Sequence, residues 1–223
     1  MKNYKQLGLL ILLLIGVNFM ARAQRSDTVY VKSIKGRSWK IVEKLNIKDP
    51  QKEIEVRNII ANQYMDLNDV YMARDAKLGD LKAKTELTKF AKNKKTEKIQ
   101  QWTQNKIDRL HLQYIKNLNK NLNEEQVIGV KDGMTYGVVP LTFAAYQEML
   151  PNLTQQQKNQ IYIWLVEARE HAMDAESSDK KHAWFGKYKG KVNNYLSAEG
   201  IDMKKAGGEW QARIKKEKAE KGN

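Results

Sequence analysis

Cysteine is absent from this chain. No disulfide, no thiolate metal site and no lipid-modified cysteine can form, so the fold has to be held by burial alone. Proline is nearly absent, with three residues, and glycine is limited to thirteen. With few chain breakers and an abundance of Lys, Glu, Gln, Ala and Leu, the composition favours helices. Long hydrophobic runs are missing too. The unbroken apolar run from Leu7 to Val17 is shorter than the ~20 residues a membrane-spanning helix requires. The catalytic signatures that can be read from spacing alone are also missing: there is no phosphate loop, nucleophile elbow or HExxH.

The short apolar run has a meaning of its own. Lys2 and Lys5 precede it and Ala21-Arg22-Ala23 follows it, the layout of a secretory signal peptide over residues 1–23 with the mature chain starting at about Gln24. The expected location is periplasmic or secreted, with no stable membrane anchor after cleavage. Lys2, Lys5 and Arg22 supply three of the +14 formal charges, so the mature chain keeps +11. Such an excess usually points to nucleic acid. Export argues against that partner and in favour of an acidic polysaccharide, an anionic lipid or an acidic protein.

Hydrophobic spacing predicts an all-α protein, a single antiparallel, bundle-like domain of six to seven helices over residues 24–215, with a frayed charged tail at 216–223. Asp27 caps a first helix to about Leu45, with Val31, Ile34, Ile41, Val42 and Leu45 on one stripe. Asp49-Pro50 restarts the chain as N-cap and first helical residue. The second helix carries Ile60, Tyr64, Leu67, Tyr71 and Leu78 on a core seam, with the polar Asn68 and Asp75 beside it. From Lys77 to Lys120 there are twelve Lys or Arg against four Asp or Glu, predicting a basic helical hairpin whose turn lies near Asn93. The run reads as a solvated face or as a surface for a polyanion. Trp102, Ile107, Leu110, Tyr114, Ile115 and Leu118 give its return helix an apolar side.

Two related openings follow, Leu122-Asn123-Glu124-Glu125-Gln126 and Leu153-Thr154-Gln155-Gln156-Gln157, each a helix start of the capping-box kind. They resemble the LTxxQ repeats of Spy-type periplasmic chaperones. Between them Gly129, Gly133, Gly137 and Pro140 predict an irregular segment over about 129–140, with Thr135 and Tyr136 lining a cleft or a tight turn.

The helix from Thr154 to about Glu176 has a core seam of Ile161, Trp164, Leu165, Ala168, Ala172 and Ala175. Along its border, at 100° per residue, run Glu167, His171 and Asp174. An imidazole between two carboxylates can act as an oriented base or bind a divalent metal; the same triplet is also an ordinary charged helix border. Ser178 or Asp179 caps the next helix, which ends at Gly200. It has Trp184, Phe185, Tyr188, Val192, Tyr195 and Leu196 on one side and the small residues Ala183, Gly186, Gly190 and Ser197 on the other, a stripe that would let another backbone approach. Trp184, Tyr188 and Tyr195 suit stacking on sugar rings, with Lys187, Asn193 and Asn194 bonding to hydroxyls or carboxylates. Aromatics at this spacing also build cores. The site is expected where the two helices meet, with Glu167, His171, Asp174 and Trp164 on one wall and His182, Trp184, Lys187 and Tyr188 on the other. No cofactor or metal is assigned.

The strings KDGMTYGVVP, YQEMLPNLT, WLVEAREHAMDA and KHAWFGKYKG with NNYLSAEG, within a match from about Lys32 to Trp210, closely resemble the secreted Bacteroidota family called domain of unknown function 3826. That resemblance implies an all-helical, sugar-binding periplasmic protein expected near pectin-degrading enzymes. No catalytic residue comes with it. The leading function is therefore a carbohydrate-binding or accessory protein for acidic plant polysaccharide, whose partner is an acidic or neutral plant glycan. An enzyme acting on uronic-acid glycans, a lyase or a hydrolase, is the alternative. Its base would be His171 or Tyr188, its carboxylate neutraliser Arg169 or Lys187, with Glu167 and Asp174 as further candidates. A Spy-like chaperone is the third; it needs a broad apolar concave face and a dimer.

Overall fold

The computed structural model describes residues 28–221; the stretch expected to be a signal peptide, the expected cap Asp27 and the last two residues lie outside that range. Eight helices and no strand occur among the described residues. They fall into two compact units divided between Asn121 and Leu122, where the sequence pattern predicts one domain. No helix among the described residues is long and apolar enough to cross a membrane.

The first unit holds α1 (Thr28–Val42), α2 (Pro50–Ala83) and α3 (Lys89–Asn121). The start of α2 follows the predicted chemistry. The Asp49 carboxylate accepts from the Gln51 and Lys52 amides, and Pro50 stands where no intrahelical N–H is needed. Ile34, Ile41, Val42 and Leu45 of the first predicted stripe are buried, as are Ile60 and Leu67 of the second. Asn68 turns its amide to the Met72 sulfur and Asp75 pairs with Arg74, so both polar residues beside the seam are satisfied within α2. The hairpin is antiparallel: the Lys92 ammonium reaches the Lys82 carbonyl and Lys77 stands over the Trp102 ring. Its turn, however, spans 84–88, and Asn93 lies inside α3. The Thr88 hydroxyl accepts from the Ala91 amide and starts the helix early. A capping threonine outweighs an asparagine flanked by lysines, because lysine is itself a good helix former.

The second unit holds α4 (Glu124–Met134), α5 (Val138–Met149), α6 (Gln155–Met173), α7 (Ser178–Ala198) and α8 (Met203–Lys221). Both predicted capping boxes are present. Asn123 and Gln126 bond reciprocally at the start of α4, and Thr154 and Gln157 do so at α6. The segment expected to be irregular is mostly helix, and only Thr135, Tyr136 and Gly137 separate α4 from α5. Pro140 fits because it occupies the first turn of α5, where amide hydrogens have no intrahelical partner. Tyr136 and Gly137 both take left-handed backbone, φ 60° and 67°, which turns the chain within three residues. Thr135 is fully buried, and its hydroxyl donates to the Lys131 carbonyl instead of lining a cleft.

Ser177, one residue earlier than expected, caps α7 by accepting from the Lys180 amide. Lys181, nearly buried, donates to the Met173 carbonyl and so satisfies the end of α6. Gly200 takes the left-handed position beyond α7, at φ 86°. α8 continues as helix to Lys221, through the stretch expected to fray. The count is eight helices where six to seven were expected, the segment 129–140 being divided between two helices instead of irregular. A single core joins α5, α6 and α7 through Tyr146, Leu150, Ile161, Leu165, Phe185, Val192 and Leu196.

Candidate functional site

α6 and α7 are antiparallel, because in their cross-helix pairs one residue number falls as the other rises: His171 with Trp184, Glu167 with Lys191, Trp164 with Tyr195. The four-residue connection between them enforces this. Along one edge of the pair the side chains form an aromatic and cationic ridge. The exposed His171 ring stacks on half-buried Trp184 at 4.4 Å and 16°, and lies 6.2 Å from Tyr188. Lys187 stands 5.0 Å over the Trp184 ring. Lys191 stands 4.6 Å over Trp164 and 5.5 Å over Tyr188, and pairs loosely with Glu167 at 3.9 Å. Trp164 meets Tyr195 edge-on. Burial first, then a hydrogen bond to Glu167 and that carboxylate's charge, pushes the Tyr188 hydroxyl up to about 12. The phenol is therefore a hydrogen-bond donor at neutral pH and unsuited to be a base.

Seven of the predicted residues thus come together: Trp164, Glu167, His171, Trp184, Lys187, Tyr188 and Tyr195. The others do not join them. Asp174 sits in the buried C-cap of α6, and His171 lies on aromatic rings instead of between two carboxylates. Among the described residues no group of three or more His, Asp or Glu is placed to hold a metal ion. Arg169 is 5% exposed at its side chain and bonds to Asp132 at 2.8 Å, while its neighbour Glu170 takes Lys131 at 2.7 Å. Those pairs clamp α6 to α4, so Arg169 cannot also neutralise a substrate without breaking a buried contact. His182 stacks on Tyr136 at 5.5 Å and 13°. Two residues along a helix are 200° apart, which places His182 and Trp184 on different flanks of α7.

The opposite flank carries Asn193. Its side-chain oxygen accepts from the Tyr146 hydroxyl at 2.7 Å, whereas Asn194 is simply exposed. Here a pocket of about 350 Å³ opens. α5 supplies Leu141, Thr142, Ala145, Tyr146 and Met149, α7 supplies Lys189 and Asn193, and α8 supplies Met203 and Trp210. Burial pushes the Tyr146 hydroxyl up to about 12. The expected small-residue stripe closes against nothing: a Cβ added at Gly186 or Gly190 would meet no atom within 4 Å.

Sequence reasoning missed Lys191, Tyr146, Lys189 and Trp210. Lys191 had a signal, since it follows Lys187 by four residues on the aromatic edge. Trp210 had one too, as a lone large aromatic in a tail of Lys and Glu. Tyr146 and Lys189 had none, because only the packing of α5 against its neighbours brings them to the pocket.

The family model described as Protein of unknown function (DUF3826) matches residues 31–216. The chain belongs to this family. The DUF3826 match takes in both units and every residue of the ridge and the pocket. No curated protein matches the chain.

Proposed function

We propose that this DUF3826 protein is an exported carbohydrate-binding or accessory protein for acidic plant polysaccharide of the pectin type, with the ridge between α6 and α7 as its sugar platform. One observation carries the reading: Lys187 and Lys191, one helical turn apart, stand over the rings of Trp184 and Trp164. A uronic acid offers an apolar C–H face and a carboxylate. His171 stacks on Trp184 and a lysine stands over each indole, so a sugar reaches an indole face as the lysine swings off the ring to meet the carboxylate. Glu167, which accepts a hydrogen bond from the Tyr188 hydroxyl, adds a carboxylate acceptor for hydroxyl groups. The positive balance of the whole chain favours the same class of ligand.

The test is titration of the mature protein with oligogalacturonides and with neutral oligosaccharides of equal length. Binding and the ultraviolet absorbance of unsaturated uronate are followed together. Acidic oligomers should bind, more weakly as salt rises, and Trp184→Ala should weaken them by about tenfold, the value of one good stacking contact. No binding to any acidic glycan would overturn the proposal. A growing absorbance would make the protein a lyase, and a glycan-independent hold on unfolded polypeptide would make it a chaperone.

A further inference from the structure

The pocket on the other flank of α7 is a chemically different place. It is an open hollow lined by flat and flexible apolar groups, Trp210, Met149 and Met203, and no carboxylate lines it. Its polar groups are arranged to donate. Tyr146 gives its proton to the Asn193 side-chain oxygen, which leaves the Asn193 amide hydrogens as that side chain's outward offer. Lys189, one turn earlier on α7, adds a cation to the same lining. At about 350 Å³ the space is at the small end of ligand pockets.

We propose that this pocket is a second ligand site, for a small aromatic monocarboxylate: a single ring held against Trp210, with its acid group on the Asn193 amide and Lys189. A sugar fits the lining poorly, since hydroxyl groups facing Leu141 and Met149 would lose water without gaining partners. A cationic ligand would meet Lys189. A straight acyl chain would leave the flat face of Trp210 without a matching ring. The site uses none of the ridge residues and does not depend on the glycan reading.

Cinnamate is a suitable probe, titrated calorimetrically into the mature protein alongside cinnamyl alcohol and octanoate. Cinnamate should bind. The alcohol, which keeps the ring and loses the charge, should bind at least about tenfold more weakly, the worth of a charge-assisted hydrogen bond. Asn193→Asp places a carboxylate where the ligand's own must sit and should abolish binding; Trp210→Ala should weaken it by about tenfold. Trp184→Ala should leave it unchanged, and oligogalacturonide should not compete. Circular dichroism of each variant confirms that the helices persist, and Asn193→Asp decides the matter if Trp210→Ala loses α8. The proposal is overturned if cinnamate fails to bind the unsubstituted protein, or if the alcohol or octanoate binds as well. Undiminished binding in Asn193→Asp, or competition by oligogalacturonide, would overturn it equally.

Discussion

The two flanks of α7 draw on the same residue types, an indole, lysines and a polar partner, and arrange them to opposite effect. On the ridge flank only α6 lies alongside, so Trp184, Lys187 and Lys191 remain at a surface, the cations over the rings. On the pocket flank α5 and α8 rise on either side, so Trp210 becomes part of a wall and Asn193 is fixed by Tyr146. An exposed ridge suits a polymer that slides past; an open hollow between three helices suits a small molecule. What differs is the number of neighbouring helices, more than the side chains themselves.

The largest expected effect comes from the residue that both flanks share. Phe185 is 2% exposed in the core between them. Phe185→Ala should cost about 3–5 kcal/mol by loss of burial and the cavity left behind, and should reduce ligand binding on both flanks together. Its neighbour Trp184 is half-buried, and Trp184→Ala should cost far less while affecting the ridge alone. Denaturant unfolding on the two variants checks the pair. Equal destabilisation would mean that the ridge tryptophan is a core residue after all.

The contrast also shows which parts of the molecule could be read from sequence. Caps were legible, because a capping box depends on residues three apart and on nothing distant: Asn123 with Gln126 and Thr154 with Gln157 fell where expected. The α6/α7 ridge was legible as well, since a short connection forces antiparallel packing and the helical period sorts the faces. Proximity along the chain misled at Asn193 and Asn194, which point to different surroundings, and at His182 and Trp184. The turn expected at Asn93 lies instead at 84–88, where the Thr88 hydroxyl starts α3. Arg169 could not be placed at all without knowing that α4 brings Asp132 against it, 37 residues away. The pocket needed three helices to be assembled first.

A smaller effect should appear in alkali, with one tyrosine reporting from each flank. Tyr146 and Tyr188 are both buried and both raised to about 12 in the fold, against about 10 for an unfolded tyrosine. Between those values the unfolded chain has lost protons that the folded chain still holds, so stability must fall as pH rises. The stabilising contribution is complete below about pH 10 and is lost as pH climbs through the folded value. Tyr188→Phe should flatten part of this decline and Tyr146→Phe another part, as followed by chemical unfolding at a series of alkaline pH values. Tyrosinate absorbance titrating fully at the ordinary value in the folded protein would show that neither hydroxyl is shielded.

The smallest change in stability, and the sharpest separation of the flanks, is expected from Lys191→Gln. Its pair with Glu167 is long, 3.9 Å, and both side chains are about half exposed, so its removal should alter stability by no more than about 0.5 kcal/mol. The stem of glutamine is shorter, and the ammonium over Trp164 and Tyr188 is lost. If the ridge reads uronate carboxylates, one charge contact disappears and the dependence of oligogalacturonide affinity on salt becomes shallower. If the lysine instead only screens Glu167, the same loss appears in Lys191→Gln but is reversed in the double variant Lys191→Gln/Glu167→Gln, which removes the uncompensated carboxylate as well. Cinnamate binding at the pocket, on the far side of α7, should not respond in either case. Salt series on the single and the double variant therefore separate a recognition contact, which stays lost in both, from a merely neutralising one, and a change in cinnamate binding as well would show that the flanks are coupled through the helix they share.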